Sequence, residues 1–214
     1  QGSVLSGALR EVLLLDVTPL SLGIEVAGGV FSVLIPRNSS IPVVCTRKFT
    51  TVRDNQRSVK VHVLQGERRI AKENHTLGIF SLEGIAPAPR EIPEIEVSFQ
   101  IDSNGILNVS AVDTTSGVKS SITIVSVGVV DMEEAQEIAA EAEAQTAADM
   151  AFLQVVKVRA KGDVHANELR SYLETFDLPE DLRKETTEMI FKYDVASVAN
   201  DIDEMEERII GMMR

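Results

Sequence analysis

Tryptophan is absent from this 214-residue chain, aromatic residues make up only 4%, and there is one cysteine, Cys45. A lone thiol closes no intrachain disulfide and supplies no Cys-based zinc site, which excludes a stapled secreted scaffold and favours a reducing interior. Long apolar runs are also missing. The longest near the start, Val12-Leu13-Leu14-Leu15, lies between Glu11 and Asp16 and falls far short of the roughly 20 residues that cross a bilayer. No basic-then-apolar leader precedes it, and the chain begins with Gln rather than Met, so a piece of something longer is expected.

Catalytic signatures are equally scarce. Gly28-Gly29 is followed by neither a Lys-Ser/Thr pair nor a third spaced glycine, so no phosphate-cradling loop of the common types occurs. His62, His75 and His165 are scattered, with no HExxH and no nearby cysteine, and read as surface histidines. The Glu94/Glu96 pair falls on the outward face of an alternating strand, where a solvated edge is expected rather than a general acid/base pair. A net charge of -12 without a basic stripe disfavours nucleic acid. The expectation is a chain with no catalytic residues, no metal site and no enzymatic activity.

What is present divides in two. Residues 1–125 carry 12 basic and 12 acidic side chains, whereas residues 126–214 carry 9 and 21, so the whole negative charge lies in the second part. Six of the seven prolines fall in the first part, while alanines crowd the second, where they favour helix. Ile95, Val97, Phe99 and Ile101 alternate with polar residues, Asp102-Ser-Asn-Gly105 supplies a turn, and Leu107, Val109 and Ala111 resume the alternation, which predicts a hairpin with one buried face. Val59, Val61 and Val63 give another strand. Ile24 to Ile35 holds a pair broken at Ala27-Gly28-Gly29, and Cys45 to Thr51 and Ser121 to Val125 add two more. Short strands joined by Gly, Pro and Asn loops argue an antiparallel sandwich.

From Asp131 the period becomes helical. Asp131 with Glu134 resembles an N-cap with a box partner, and Ile138, Ala142, Gln145, Phe152 and Val156 follow at helical spacing. One long helix is expected, interrupted at Gly162, with a thin Ala-based stripe suited to lying across a surface. Leu178-Pro179-Glu180 marks a later start, and Leu182, Met189, Ile190, Val195, Val198, Ile202, Met205 and Ile209 suggest two more helices closing a small bundle.

Several longer stretches occur together: Val12-Leu-Leu-Leu-Asp-Val-Thr-Pro-Leu-Ser-Leu-Gly-Ile-Glu25, Ile35-Pro-Arg-Asn-Ser-Ser-Ile-Pro42, Asp54-Asn-Gln56, His62-Val-Leu-Gln-Gly-Glu-Arg68, Gly84-Ile-Ala-Pro-Ala-Pro-Arg90 and Asp102-Ser-Asn-Gly-Ile-Leu-Asn-Val-Ser-Ala111. In order and content they resemble the peptide-binding half of the seventy-kilodalton heat-shock chaperones of DnaK type. The resemblance covers residues 2 to 175 well and the last forty in helical character. It implies an α+β fold of segregated segments: residues 1–16 as the end of an ATPase domain and interdomain linker, 17–125 as the antiparallel β-sandwich, 126–214 as a helical lid. It implies too that the ATPase, with its ATP and magnesium, has been left out, so that this chain needs no cofactor.

By the same resemblance an extended client segment lies in a groove, hydrogen-bonded through its backbone, with one Leu-like side chain in a central pocket. Ile24, Val26, Phe49, Thr50, Val59, Val61 and Ile95 would line it, Ala27 and Val52 would arch over the peptide, and Gln56 would lie beside it. Ordinary sandwich core is the plainer reading of each apolar residue. A lid latch would pair Arg90 with Asp163, and a second would pair Asp54 with Asn167, where the family has histidine; here His165 lies two residues earlier. Val12, Leu13, Leu14, Leu15 and Asp16 correspond to the linker, and Arg37 and Asp16 to a domain-coupling region. Glu91 departs from the family, which usually has Gly there. J-domain and nucleotide-exchange partners, a cytoplasmic or organelle-matrix location, and self-association through the linker or the Ile209-Ile210-Gly211-Met212-Met213 tail complete the expectation. The competing reading is a non-catalytic adaptor that binds a partner through its acidic helices.

Overall fold

The computed structural model describes residues 17–125, 130 and 132–213. The expected linker Val12–Asp16 and the expected N-cap Asp131 lie outside the described residues. Eight strands come first: β1 Leu22–Val26, β2 Val30–Ile35, β3 Val43–Thr50, β4 Ser58–Gln65, β5 His75–Glu83, β6 Glu94–Ile101, β7 Leu107–Asp113 and β8 Lys119–Ile124. They form two four-stranded sheets, ordered β2-β1-β4-β5 and β3-β6-β7-β8. Four helices follow, α1 Met132–Ala144, α2 Thr146–Thr175, α3 Glu180–Ala199 and α4 Ile202–Met212. A β-sandwich followed by helices is thus the observed architecture.

The alternation read from the sequence is the reason for the second sheet. Ile95, Val97, Phe99 and Ile101 are all at most 2% exposed; in the β6–β7 register Val97, Phe99 and Ile101 stand opposite Ala111, Val109 and Leu107, themselves fully buried, and Ile95 stands opposite the buried Asp113. The turn between these strands closes as its residues dictate. Asp102 Oδ1 accepts from the amides of Asn104 and Ile106, and Gly105 takes the left-handed φ of +76° that favours glycine.

By contact the described residues divide into two compact units. The first takes in those up to Ile24, Val33–Gly66 and Thr76–Glu137; the second comprises Glu25–Ser32, Glu67–His75 and the residues from Ile138 on. Within the second, Val158, Ala166, Tyr193, Ala196, Met205, Ile209 and Met212 pack into a core shared by α2, α3 and α4.

Three elements depart from the sequence reading. Strand β5 carries no clean alternation, because its Ile79 is exposed and its Gly78 lies where a Cβ would meet Ile122 Cδ1 at 2.8 Å, so that any side chain there would have to displace the end of Ile122. The expected long helix is broken at Gln145, where Thr146 Oγ1 turns back onto the Ala142 carbonyl, a bond that bends helices. Gly162 does not interrupt α2. It is buried within the helix, and a Cβ there would lie 2.3 Å from the Tyr193 ring, so glycine makes the space that lets α2 and α3 close.

Candidate peptide-binding site

In the first unit, Ile24, Val61 and Ile95 are buried, Phe49 and Val59 are half-buried, and Thr50 and Val52 are exposed. Phe49 stands opposite Ile95 in the β3–β6 register, and Thr50 opposite Glu94. Period-two geometry puts Val59, Val61 and Val63 on one face of β4, and burial deepens along it from half-open Val59 to fully buried Val63. That face is closed at one end and open at the other.

The loop after β3 is held by its own side chains. Gln56 Oε1 accepts from the amides of Val52 and Arg53 at 3.1 and 3.3 Å, and its Nε2 donates to the Ser58 carbonyl at 2.8 Å. Gln56 therefore shapes the loop that carries Val52. Asp54 Oδ1 accepts from the Arg90 amide at 2.7 Å, the Asn55 amide donates to the Ala88 carbonyl, and the Glu91 amide donates to Thr51. These bonds stitch loop 51–57 to loop 84–93. Glu91, standing where glycine was expected, holds a φ of +67°, so the loop keeps a glycine conformation without glycine. Two of the resembling stretches also meet: Thr18 bonds Pro36, Asn38 and Ser39, and Ser21 Oγ accepts from the Arg37 amide.

In the second unit, Val26 and exposed Ala27 enter a turn closed by the Gly29 amide donating to the Val26 carbonyl at 3.1 Å, with Gly28 at φ +82°. A Cβ on Gly28 would lie 2.4 Å from Val156 Cγ1, and one on Gly29 3.8 Å from Phe152 Cζ. Loop 67–75 is fixed beside it: the Asn74 side chain accepts from the Arg68 amide and donates to the carbonyls of Arg68 and Ile70.

A buried charged contact in this unit escaped the sequence reading. The buried Asp149 carboxylate accepts from Arg68 Nη2 at 2.7 Å, from Arg68 Nε at 3.1 and 3.2 Å, and from the Arg69 amide at 2.7 Å. Burial alone would push the Asp149 carboxyl up, but the hydrogen bonds and charges of Arg68 and Arg69 outweigh it and hold the group below its ordinary value. The signal was present in the sequence: Asp149 is an acid on the apolar stripe, between Gln145 and Phe152, where only a paired acid is tolerated.

The expected latch residues each have a partner within their own unit. Asp163 Oδ1 accepts from the Tyr193 hydroxyl at 2.8 Å, Asn167 accepts from Arg170, and His165 lies 3.5 Å from Glu168. Burial first, and then the Asp163 contact, push the Tyr193 hydroxyl far up. Of the tail proposed as a self-bound guest, Ile209 and Met212 are buried in the helical core, so that guest would have to unwind α4.

No group of three His, Cys, Asp or Glu residues is placed to hold a metal among the described residues. The Gly28–Gly29 turn is filled by Val156 and Phe152. No described helix is long and apolar enough to cross a membrane.

The family model for Hsp70 protein matches residues 1–212. The chain is 43% identical over 211 residues to the chaperone protein DnaK of Buchnera aphidicola subsp. Schizaphis graminum, covering 99% of this chain and 32% of that protein. It is 43% identical over 217 residues to chaperone protein DnaK of Mycoplasmoides gallisepticum, covering all of this chain and 37% of that protein. The chain spans about a third of the length of these curated relatives. The expectation that it is no enzyme, for want of an ATPase domain, is corrected by these matches: the model runs over residues 1–212, and the Hsp70 family is an ATPase family.

Proposed function

Because the chain belongs to the Hsp70 family of chaperones, we propose that it binds extended apolar segments of unfolded client polypeptides and that its helices slow their escape. The observation that carries this reading is the graded face of β4, sealed at Val63 and half-open at Val59, beside a loop braced by Gln56. One buried leucine contributes roughly 1.5 to 3 kcal/mol and about five backbone hydrogen bonds about 0.5 to 1.5 each. The gross sum is on the order of 5 to 10, whereas micromolar binding needs about 8 and ordering the peptide subtracts from it. Binding of weak to moderate strength follows, so a retaining element has a use: it lengthens residence without reading sequence.

Arg90 and Asp163 are our candidates for the latch, with Asp54 and Asn167 as a second pair. In the whole protein, ATP with magnesium sets the affinity, J-domain and exchange-factor partners set its timing, and the cytoplasm or an organelle matrix is the site of action. A fluorescent Leu-centred heptapeptide titrated with the chain tests the core of this reading. Saturable anisotropy gain, lost when the central Leu is replaced by Asp, is expected; no gain at any accessible concentration returns the chain to the adaptor reading.

A further inference from the structure

We propose that Asn104 is a site of spontaneous deamidation and that its conversion to aspartate or isoaspartate opens the turn between β6 and β7. Of the seven asparagines in the chain, only Asn104 is followed by glycine.

The chemistry needs a main-chain nitrogen to reach a side-chain carbonyl carbon. With its proton taken up by hydroxide, the Gly105 amide nitrogen bonds to Asn104 Cγ. The Cγ–Nδ2 bond breaks, and Nδ2 leaves as ammonia with a proton from water, which restores the hydroxide. A cyclic imide remains. Water then opens the ring at either carbonyl: opening at Cγ gives aspartate, whereas opening at the main-chain carbonyl gives isoaspartate, whose backbone runs through Cβ and Cγ and is longer by one carbon. Nothing is oxidised or reduced.

The turn presents both reacting groups. Asn104 is exposed, and a Cβ at Gly105 would meet no described atom within 4 Å, so glycine leaves the attacking nitrogen uncrowded. One hydrogen bond, 3.1 Å from the Gly105 amide to the Asp102 carbonyl, has to break before the attack. The departing Nδ2 is held by Asp102 Oδ2 at the long distance of 3.5 Å. Asn38 and Asn55 are also exposed but precede Ser39 and Gln56, and so serve as references within the same chain.

The product disturbs the residue that closes the turn. Asp102 Oδ1 accepts from the amides of Asn104 and Ile106 at 2.8 and 2.9 Å, and these bonds, that of Ile106 first, hold its carboxyl below its ordinary value. A carboxylate at position 104 puts a like charge where the Asn104 side chain now donates to Asp102. Isoaspartate in addition lengthens a turn that follows directly on the buried pair Ile101 and Leu107.

The folded chain and a free peptide of residues 100–108, kept in the same mildly alkaline buffer and mapped by mass spectrometry, provide the test. Asn104 of the chain is expected to convert ahead of Asn38 and Asn55, and to lag the peptide by at most about tenfold, the worth of one net hydrogen bond. The product, separated by its added negative charge on an anion exchanger, should exchange the Ile106 amide proton several-fold faster than the unaltered chain. An Asn104 that stays intact in the folded chain after the peptide has converted overturns the site. An Ile106 amide as well protected in the product as in the unaltered chain overturns the opening of the turn.

Discussion

The sheet β3-β6-β7-β8 and the core of α2, α3 and α4 are closed by opposite means. In the sheet, Ile95, Phe99, Leu107, Val109 and Ala111 are fully buried, and each position follows from a strict alternation along paired strands. In the helices the centre is a tyrosine lying on a glycine. Tyr193 is 1% exposed, its ring rests on Gly162, and its hydroxyl lies 2.8 Å from both the Arg159 carbonyl and Asp163. Around it Arg159 reaches the Ser197 carbonyl and Asn200, and Arg170 forks onto Asp194 at 2.7 Å. The sheet thus depends on volume, and the helices on a few specific positions. The second kind of closure rests on contacts that are fewer and individually decisive.

That contrast can be broken by substitution. Phe99→Ala should have the largest effect, about 3–5 kcal/mol, and should unfold the sandwich, read as a lowered denaturant midpoint. Next comes Asp149→Asn, which leaves the Arg68 guanidinium without its carboxylate at a part-buried site, a loss of about 3 kcal/mol. Since the folded carboxyl is held below its ordinary value, this contribution is fully present above that ordinary value and disappears as pH falls through the folded one. Melting curves of the chain should therefore lose stability on the acid side, and Asp149→Asn should flatten that loss.

Gly162→Ala is a contest of two magnitudes. Helix propensity favours alanine by about 1 kcal/mol, whereas forcing a methyl into the Tyr193 ring costs about 1–3 kcal/mol. A net loss of up to about 2 kcal/mol, confined to the helical circular-dichroism transition, is expected; stabilisation would mean that Tyr193 moves aside freely. The smallest effect has the opposite sign. Glu91→Gly relieves a left-handed non-glycine residue, about 1–2 kcal/mol, against the entropy glycine loses on folding, roughly 0.5–1. The melting midpoint should rise slightly.

The difference between the two regions also explains what the sequence made legible. Strands β6 and β7 could be read residue by residue, because alternation is a local property and a slip would turn every side chain to the wrong face. Strand β5 was not, since its glycine is set by the approach of Ile122 from the other sheet, information that lies 44 residues away in the chain. Gly162 misled for the same reason. Its propensity argues for a break, while its partner Tyr193 belongs to another helix and decides otherwise. Of the candidate groove residues, Val59 and Val61 share one face of β4 as alternation requires, whereas Asp149 came to light only with Arg68 beside it.

Peptide affinity of Val59→Phe, set beside its melting midpoint, tests the central claim most directly. Val59 sits at the half-open end of a face that is otherwise sealed, so the larger ring should occupy the space a client leucine takes. Affinity for a Leu-centred heptapeptide is expected to fall about tenfold or more, the counterpart of at least 1.4 kcal/mol, with the midpoint nearly unchanged. Full affinity in a folded Val59→Phe chain would contradict the claim that this face receives the client.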